Sequence, residues 1–400
     1  MKLFEDLEAR GLVKQATNTE KIRELLNEKK VTFYIGFDPT ANSLHVGHLL
    51  QMITAKRLAN AGHIPIMLIG GATAQIGDPS GKSSMRPMLE EHVVEANIKS
   101  ITPQIKKIVG VDDWQIINNK RFFQHFTFLS FIREFGPLFS VNNMLRADCF
   151  KSRLETGLSF LEFNYMLMQA VDFFRLFVWR DCILQIGGDD QWSNILAGID
   201  LIHKKEGKES FGLTIPLLTT SDGTKMGKTE KGAVWLSEEG QTSIFDFFQF
   251  WRNIPDAEVM KCFKQLTFLS LQEIATIPFT TVEEINAAKK RLACELTTIV
   301  HGKDATDITL EVVESLFEKK DPSIMEAAPI DDNTNVLDLI VKCEFAKSRT
   351  DARNLINNKG ITINTQVLDN PTLIISKSQF GKEIIVKKGK KSFKRFMIEE

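Results

Sequence analysis

The chain has 400 residues, enough for two or three domains, and its 43% hydrophobic and 25% charged residues are those of an ordinary globular protein. A formal net charge of −1 gives the chain as a whole no nucleic-acid footprint, so any basic surface has to be local. Its five cysteines are scattered, odd in number and never in a CxxC pair, which argues against a disulfide framework or a cysteine zinc site and fits a reducing cytoplasm. The opening MKLFEDLEARGLV is acidic and amphipathic rather than a signal peptide, and no apolar run reaches membrane-spanning length. A soluble cytoplasmic protein with no membrane partner is expected.

In chain order, residues 1–30 read as two short helices with Leu and Ile at helical spacing. VTFYIGFD (31–38) is a strand by its β-branched and aromatic content, ending at Pro39. A helix follows from about His45 to Gly62, and IPIMLIGGATA is the near-continuous apolar run of a central parallel strand. Residues 112–180 read as mostly helical and rich in Phe and Leu. CILQIGG (182–188) is a third strand, followed by the helix DQWSNILAGIDLIHKK and a fourth strand in LTIPLLTT. Strand, glycine-rich turn, helix and strand together predict an α/β, doubly wound (Rossmann-type) parallel sheet, with ligands beyond the carboxyl ends of its strands.

Past about residue 230 the β signal fades into helices. KKDPSIMEAAPIDDNT (319–334) mixes Pro, Asp and small residues and reads as a linker. Residues 335–400 carry 13 Lys and Arg against 7 acids, the local basic surplus that the total conceals. The expected division is a Rossmann-type domain with a helical insertion over 1–220, a lysine loop and α-helical domain over 221–318, the linker, and a small basic α+β domain over 335–400.

Two clusters carry chemistry. DPTANSLHVGH (38–48) sets His45 and His48 where a helix begins after a strand; a helix N-terminus favours anions, two imidazole donors add to it, and Gly47 lets a flat group approach the backbone. The competing readings are a pair of surface histidines or half a metal site, and the other five histidines supply no partner pattern for a metal. DGTKMGKTEKG (222–232) is a glycine-punctuated loop with Lys225 and Lys228, suited to a polyphosphate whose charge rises during reaction. By itself it would read as a solvated turn; the order of the two clusters, separated by an α/β body, shifts that reading. A further oddity is Tyr34, in a strand otherwise read as buried: the chain has 29 Phe but only two Tyr, Tyr34 and Tyr165.

HVGH (45–48) and KMGKT (225–229) resemble the two signatures of class I aminoacyl-tRNA synthetases, written HIGH and KMSKS. GFDPTANSLHVGH, GGATAQIGDPSGK (70–82), SFLEFNYMLMQAVDFFRL (159–176), LQIGGDDQWSNI (184–195), FGLTIPLLT (211–219) and DGTKMGKTE (222–230) extend the resemblance over essentially the whole chain, and it is closest to the bacterial tyrosyl-tRNA synthetase family.

The resemblance implies activation of tyrosine by ATP and transfer of tyrosine to tRNA(Tyr) in a homodimer. ATP would be a substrate, Mg²⁺ would be carried by its phosphates, and there would be no prosthetic group and no protein metal cage. It implies that Tyr34 and Asp172 meet the substrate phenol. Tyr165, Gln169 and Asp172, spaced i, i+4, i+7, would line one wall, the first two near the α-amino group together with Asp78 and Gln185. Asp38 would contact the substrate or adenylate, and Gly36, Asp190 and Gln191 would lie near the ribose and the tyrosine. His45, Gly47 and His48 would serve the nucleotide, Lys225, Lys228 and Thr229 would close on pyrophosphate, and Lys82 and Arg86 would assist from the opposite side. For Asp172 the bland alternative is a salt bridge to Arg175 or Arg180.

Ile35, Gln51 and Asp189 depart from the family pattern without removing a group the mechanism needs. SRTDARNLINNKGITINTQV (348–367) reads as a helix turning at Gly360 into a strand and looks like the S-four type of RNA-binding module, with Arg349, Arg353 and Lys359 on its polar side. GKEIIVKKGKKSFKR (381–395) would add a basic strand pair. The tryptophan-specific sister enzyme and a catalytically silent RNA-binding factor share parts of this pattern; Tyr34 with Asp172 argues against the first, and the intact His45, His48, Lys225 and Lys228 against the second.

Overall fold

Phe33, Tyr34 and Ile35 are consecutive, and all three are at most 1% exposed, so the strand they belong to is covered on both faces. That is the environment of a central parallel strand flanked by helices. In the computed structural model the described residues are 1–80, 85, 87–221, 223–229, 232–238, 242–317, 327–364, 366–389 and 392–399; Lys82 and Arg86 lie outside them, and Lys228 and Thr229 are described by their backbone alone. The described chain divides into two compact units, 1–306 and 307–400.

The first unit is built on a six-stranded sheet of β1 (Gln15–Ala16), β2 (Thr32–Phe37), β3 (Ile64–Ile69), β4 (Ile116–Asn118), β5 (Cys182–Gly188) and β6 (Phe211–Ile215). Their order is β1-β6-β5-β2-β3-β4; β1 runs antiparallel to β6, and every other pairing is parallel. From β2 the chain winds outward to β3 and β4, then returns to β5 and β6 on the other side. The carboxyl ends of β2 and β5 are therefore the topological switch point, where the adjoining loops part and leave a crevice. Tyr34 pairs in register with Ile66 of β3 and Gln185 of β5, which puts two polar side chains on adjacent strands beside that crevice.

Two strands are additions to the four expected. β4 has three residues and β1 has two, too few for a period-2 pattern to show, and β4 lies inside the stretch read as mostly helical. The strand expected in LTIPLLTT stops at Ile215, because Pro216 brings no N–H to the ladder.

Helix Val46–Asn60 follows β2, and helix Tyr165–Arg180 packs against helix Trp192–Glu206 and β5. Between β4 and Tyr165 lie short helices whose Phe122 and Phe135 join Phe173 and Phe174 in one apolar cluster. Arg10, 4% exposed, ties the N-terminal helix to the helical region beyond the sheet by donating to Lys264 O (3.0 Å) and Leu269 O (2.9 Å). Arg57, on helix Val46–Asn60, donates to Thr267 O at 2.6 Å, and burial lowers its guanidinium pKa to about 10. β7 (Lys228–Thr229) pairs antiparallel with β8 (Gly232–Ala233).

The second unit is α+β. β9 (Ala328–Asp331), β11 (Ile361–Ile363), β12 (Gln366–Val367), β14 (Glu383–Lys388) and β15 (Ser392–Glu399) form a sheet in the order β12-β11-β14-β15-β9, while β10 (Thr334–Asn335) pairs with β13 (Ile374–Ile375). Helices Val336–Lys342 and Arg349–Asn357 bury Leu339, Ile340, Ala352 and Ile356 against Ile361, Ile384 and Val386. The linker reading of 319–334 is corrected from residue 328 onward: Ala328–Asp331 is an edge strand parallel to β15, with Ile330 buried. The rest of that stretch up to 326 lies outside the described residues.

Candidate active site

A cavity of about 330 Å³ opens at the switch point, at the low end of the roughly 300–1,000 Å³ usual for small-molecule sites. Tyr34, Gly36, Asp38, His45, Gly47, His48, Asp78, Tyr165, Gln169, Asp172, Gln185, Asp190, Gln191 and Lys225 all line it. These are the expected site residues other than Lys82, Arg86, Lys228 and Thr229. Gln51 lines it too, whereas Ile35 is a core residue.

The inner end is buried. Tyr34, Asp172 and Gln185 are 1%, 2% and 3% exposed. Among the described residues, Tyr34 OH, Asp172 Oδ1 and Gln185 Oε1 have no hydrogen-bond partner. Buried polar atoms are normally satisfied, so three of them around one cavity call for a ligand with matching groups. Burial pushes the Asp172 carboxyl well above the usual carboxylate range, with the Asn119 hydrogen bond pulling it the other way. Burial, and then the neighbouring Asp172, pushes the Tyr34 phenol up. Asp172 forms no salt bridge to Arg175 or Arg180: the Arg175 guanidinium lies 5.4 Å from the Phe126 ring centre and 5.5 Å from that of Trp179.

A chain of hydrogen bonds fixes this end. Asn119 Nδ2 donates to Asp172 Oδ2 (3.0 Å) and Thr73 Oγ1 (3.1 Å), and Thr73 Oγ1 donates to Asp38 Oδ1 (2.8 Å). The other oxygen of Asp38 accepts from Tyr165 OH at 2.9 Å. Burial, then Asp38, raises the Tyr165 phenol. Gly70 is needed here, because a Cβ on it would stand 1.9 Å from Asp38 Oδ1. On the far wall Gln191 Nε2 donates to Asp78 Oδ2 (2.7 Å), and Asn194 Nδ2 donates to Gln191 Oε1 (3.0 Å). Asn119 and Thr73 were missed by the sequence reading. Asn119 follows a three-residue strand and has no motif around it; the polar run INNK at a strand's carboxyl end was its only signal.

The outer end is built from backbone. His45 caps helix Val46–Asn60, its Nδ1 accepting from Gly47 N–H at 3.0 Å, while His48 Nδ1 accepts from His45 N–H at 3.2 Å. Both Nδ1 atoms are thus acceptors, which assigns the proton of each neutral ring to Nε2 and makes that atom the donor. The two ring centres are 3.9 Å apart.

This segment is laced to the lysine loop: Val46 N–H donates to Val234 O (3.0 Å), Leu236 N–H to Leu44 O (2.8 Å) and Val234 N–H to Gly227 O (2.8 Å). Gly227 has φ +86° and lies so close that a Cβ would stand 2.0 Å from Val46 Cγ2. Trp235, 6.0 Å from His45 ring to ring, is a neighbour that no local pattern announced. Asp190 is raised by burial and by Asp78, an effect that Lys225 opposes. Asp189 faces away and accepts from Gln15 (2.7 Å) and Thr214 (3.0 Å).

The family model "tRNA synthetases class I (W and Y)" matches residues 26–318, and that of the "Tyrosine--tRNA ligase SYY-like C-terminal domain" matches residues 313–396. The tyrosine–tRNA ligase of Acetivibrio thermocellus is 46% identical over 98% of this chain and 98% of its own, and that of Clostridium botulinum is 46% identical over 99% of each. The chain belongs to the class I tyrosine–tRNA ligases. Its activity is tyrosine–tRNA ligation.

A C-terminally truncated mitochondrial tyrosyl-tRNA synthetase of Aspergillus nidulans shares the ligase fold with a TM-score of 0.69 and 32% identity, over 79% of this chain and 94% of that one. The tyrosyl-tRNA synthetase of Archaeoglobus fulgidus, solved with L-tyrosine, shows the fold alone at 17% identity and TM-score 0.59, over 76% of this chain and 99% of that one. In the ligase's second unit, Arg349 at the start of helix Arg349–Asn357 forms an ion pair with Asp338, while Arg353 and Lys359 are exposed. β14 and β15 form the expected basic strand pair. No helix among the described residues is long and apolar enough to cross a membrane.

Proposed function

We propose that the ligase activates L-tyrosine with ATP in this cleft, the phenol seated between Tyr34 and Asp172, and then transfers the tyrosyl group to the 3′ end of tRNA(Tyr). The observation that carries this reading is the trio of buried polar atoms without partners. A phenol has one hydrogen to donate and lone pairs to accept: it donates to Asp172 Oδ1 and accepts from Tyr34 O–H, which phenylalanine cannot do. Tyr165, Gln169, Asp78 and Gln185 receive the α-ammonium, with Gln191 holding Asp78 in place.

In the first step a carboxylate oxygen of tyrosine attacks the α-phosphorus of ATP. An O–P bond forms, the bond to the β-phosphate oxygen breaks, and pyrophosphate leaves. The protein supplies no nucleophile, and its work is positioning and charge stabilisation. His45 and His48 donate from Nε2 to the phosphates, Gly47 lets the adenine approach, and Gly36 and Asp190 hold the ribose. Lys225, Lys228 and Thr229 take the pyrophosphate, assisted by Lys82 and Arg86. Mg²⁺ enters with ATP, held by its phosphates. In the second step a 3′-terminal ribose hydroxyl attacks the carbonyl carbon and AMP leaves.

The second unit contacts the tRNA backbone through Arg353 and Lys359, with Arg349 placed by Asp338. We assign the catalytic domain to 1–220 and the helical domain to 221–318, and infer a cytoplasmic enzyme. Phe128, Leu129, Val141 and Phe160 of the inserted helices are 73%, 64%, 57% and 68% exposed, which favours burial against a second copy. Sedimentation at micromolar concentration is expected to give a homodimer; a monomer contradicts it.

The test of the phenol seat is Tyr34→Phe. It should fold normally and discriminate tyrosine from phenylalanine about tenfold less well in pyrophosphate exchange, the worth of one net hydrogen bond. Unchanged discrimination overturns the assignment.

A further inference from the structure

The arm that carries Lys225 is held from behind by a helix none of whose residues lines the cleft. The arm doubles back on itself: Met226 N–H donates to Leu218 O (2.9 Å), Thr220 N–H donates to Thr224 O (2.9 Å), and Thr219 is bridged antiparallel to Lys225. Helix Asp256–Leu266 grips the outgoing arm of this turn at two points. Ser221 N–H donates to Glu258 Oε1 at 2.6 Å, and Lys261 Nζ donates to Thr219 O at 2.6 Å. Lys261 Nζ also lies 3.5 Å from Glu258 Oε2, which closes the pair into a clamp.

Glu258 is 1% exposed. A buried carboxylate is costly unless paired, and a neutral amide would satisfy the Ser221 N–H without that cost. The charge has three compensating neighbours: the Ser221 N–H, the Lys261 ammonium, and the N-terminus of its own helix, in whose first turn it sits. Thr219, which Lys261 holds, is the residue bridged to Lys225. Any play in 219–221 therefore becomes play in the ammonium that faces the cleft.

We propose that Glu258 and Lys261 are positioning residues for pyrophosphate departure, locking the 219–221 segment so that Lys225 meets the leaving group in register. The inference rests on the reading of Lys225 as a phosphate ligand, and its effect runs through Lys225 alone. Displacing a group by about 1 Å can cost up to about a hundredfold in rate.

The experiment measures single-turnover adenylate formation and equilibrium tyrosine binding for Lys225→Met, Glu258→Ala, Glu258→Gln, Lys261→Met and the Glu258→Ala/Lys225→Met double variant. Lys225→Met and Glu258→Ala should each slow adenylate formation about tenfold or more, and Lys261→Met several-fold, with tyrosine affinity unchanged. Glu258→Gln keeps the acceptor for Ser221 and should restore most of the rate. The double variant should be no slower than Lys225→Met. A slow Lys225→Met beside wild-type rates for Glu258→Ala and Lys261→Met overturns the clamp and leaves the lysine reading standing, as does a double variant whose losses multiply. A wild-type rate for Lys225→Met overturns both. Loss of tyrosine affinity in step with rate marks a merely structural role and also overturns the clamp. If Glu258→Ala does not fold, Lys261→Met carries the same test, since it leaves the carboxylate on Ser221.

Discussion

The two ends of the cleft are built on opposite plans. At the inner end Tyr34, Asp172 and Gln185 are buried side chains with polar atoms left unsatisfied, fixed by side-chain bonds through Asn119, Thr73 and Asp38. At the outer end His45 and His48 are held by backbone N–H groups, and their segment is laced to residues 234–236. The difference fits the role proposed for each end. Telling a phenol from a benzene ring requires groups that lose free energy when unmatched, which only a buried pocket provides. Stabilising a departing pyrophosphate requires preorganised donors aimed at charge that appears late, and the half-buried His45 and His48 are held for that by their backbone bonds.

The separation can be broken from either end. His48→Ala should lower the rate of adenylate formation about a hundredfold, the usual loss on removing one donor aimed at developing charge, and leave the tyrosine dissociation constant within about twofold. A matching loss of tyrosine affinity in equilibrium binding would show that the two ends are one site energetically. Asp172→Asn should act in the opposite sense, weakening tyrosine binding about tenfold or more because the carboxyl acceptor for the phenol is replaced by a weaker amide acceptor that also carries N–H donors.

The smallest effect sharpens the contrast further, in the stability of Asp172→Asn. Burial raises the Asp172 carboxyl, so the folded chain keeps that proton to a higher pH than the unfolded chain. Its contribution to stability then falls as pH rises out of the ordinary carboxylate range. The asparagine variant lacks that ionisation, so its melting temperature should gain on the wild type with rising pH, by about 2 °C per kcal/mol recovered. A gap that stays constant with pH would mean Asp172 carries no buried charge.

Legibility from sequence followed the range of the interactions. Tyr165, Gln169 and Asp172 could be placed on one wall because helical spacing is a local property. The central strands were legible because Phe33 to Phe37 and Ile64 to Ile69 are long apolar runs. β1 and β4 were not, since two or three residues carry no period, and the strand at Ala328–Asp331 hid behind its proline. Asn119 lies 53 residues from the carboxylate it orients, and the 44–46 to 234–236 ladder joins segments nearly half the chain apart. Glu258 was read simply as part of a helix, because burial and its contact to Ser221 exist only once that helix has docked.

Both tyrosines of this chain line the cleft at the switch point, while the chain holds 29 phenylalanines. The composition bears on supply. Each copy of the ligase draws only two molecules of its own product from the translating pool. Both draws fall at positions 34 and 165, in the first half of the chain, so its second half is made without tyrosyl-tRNA.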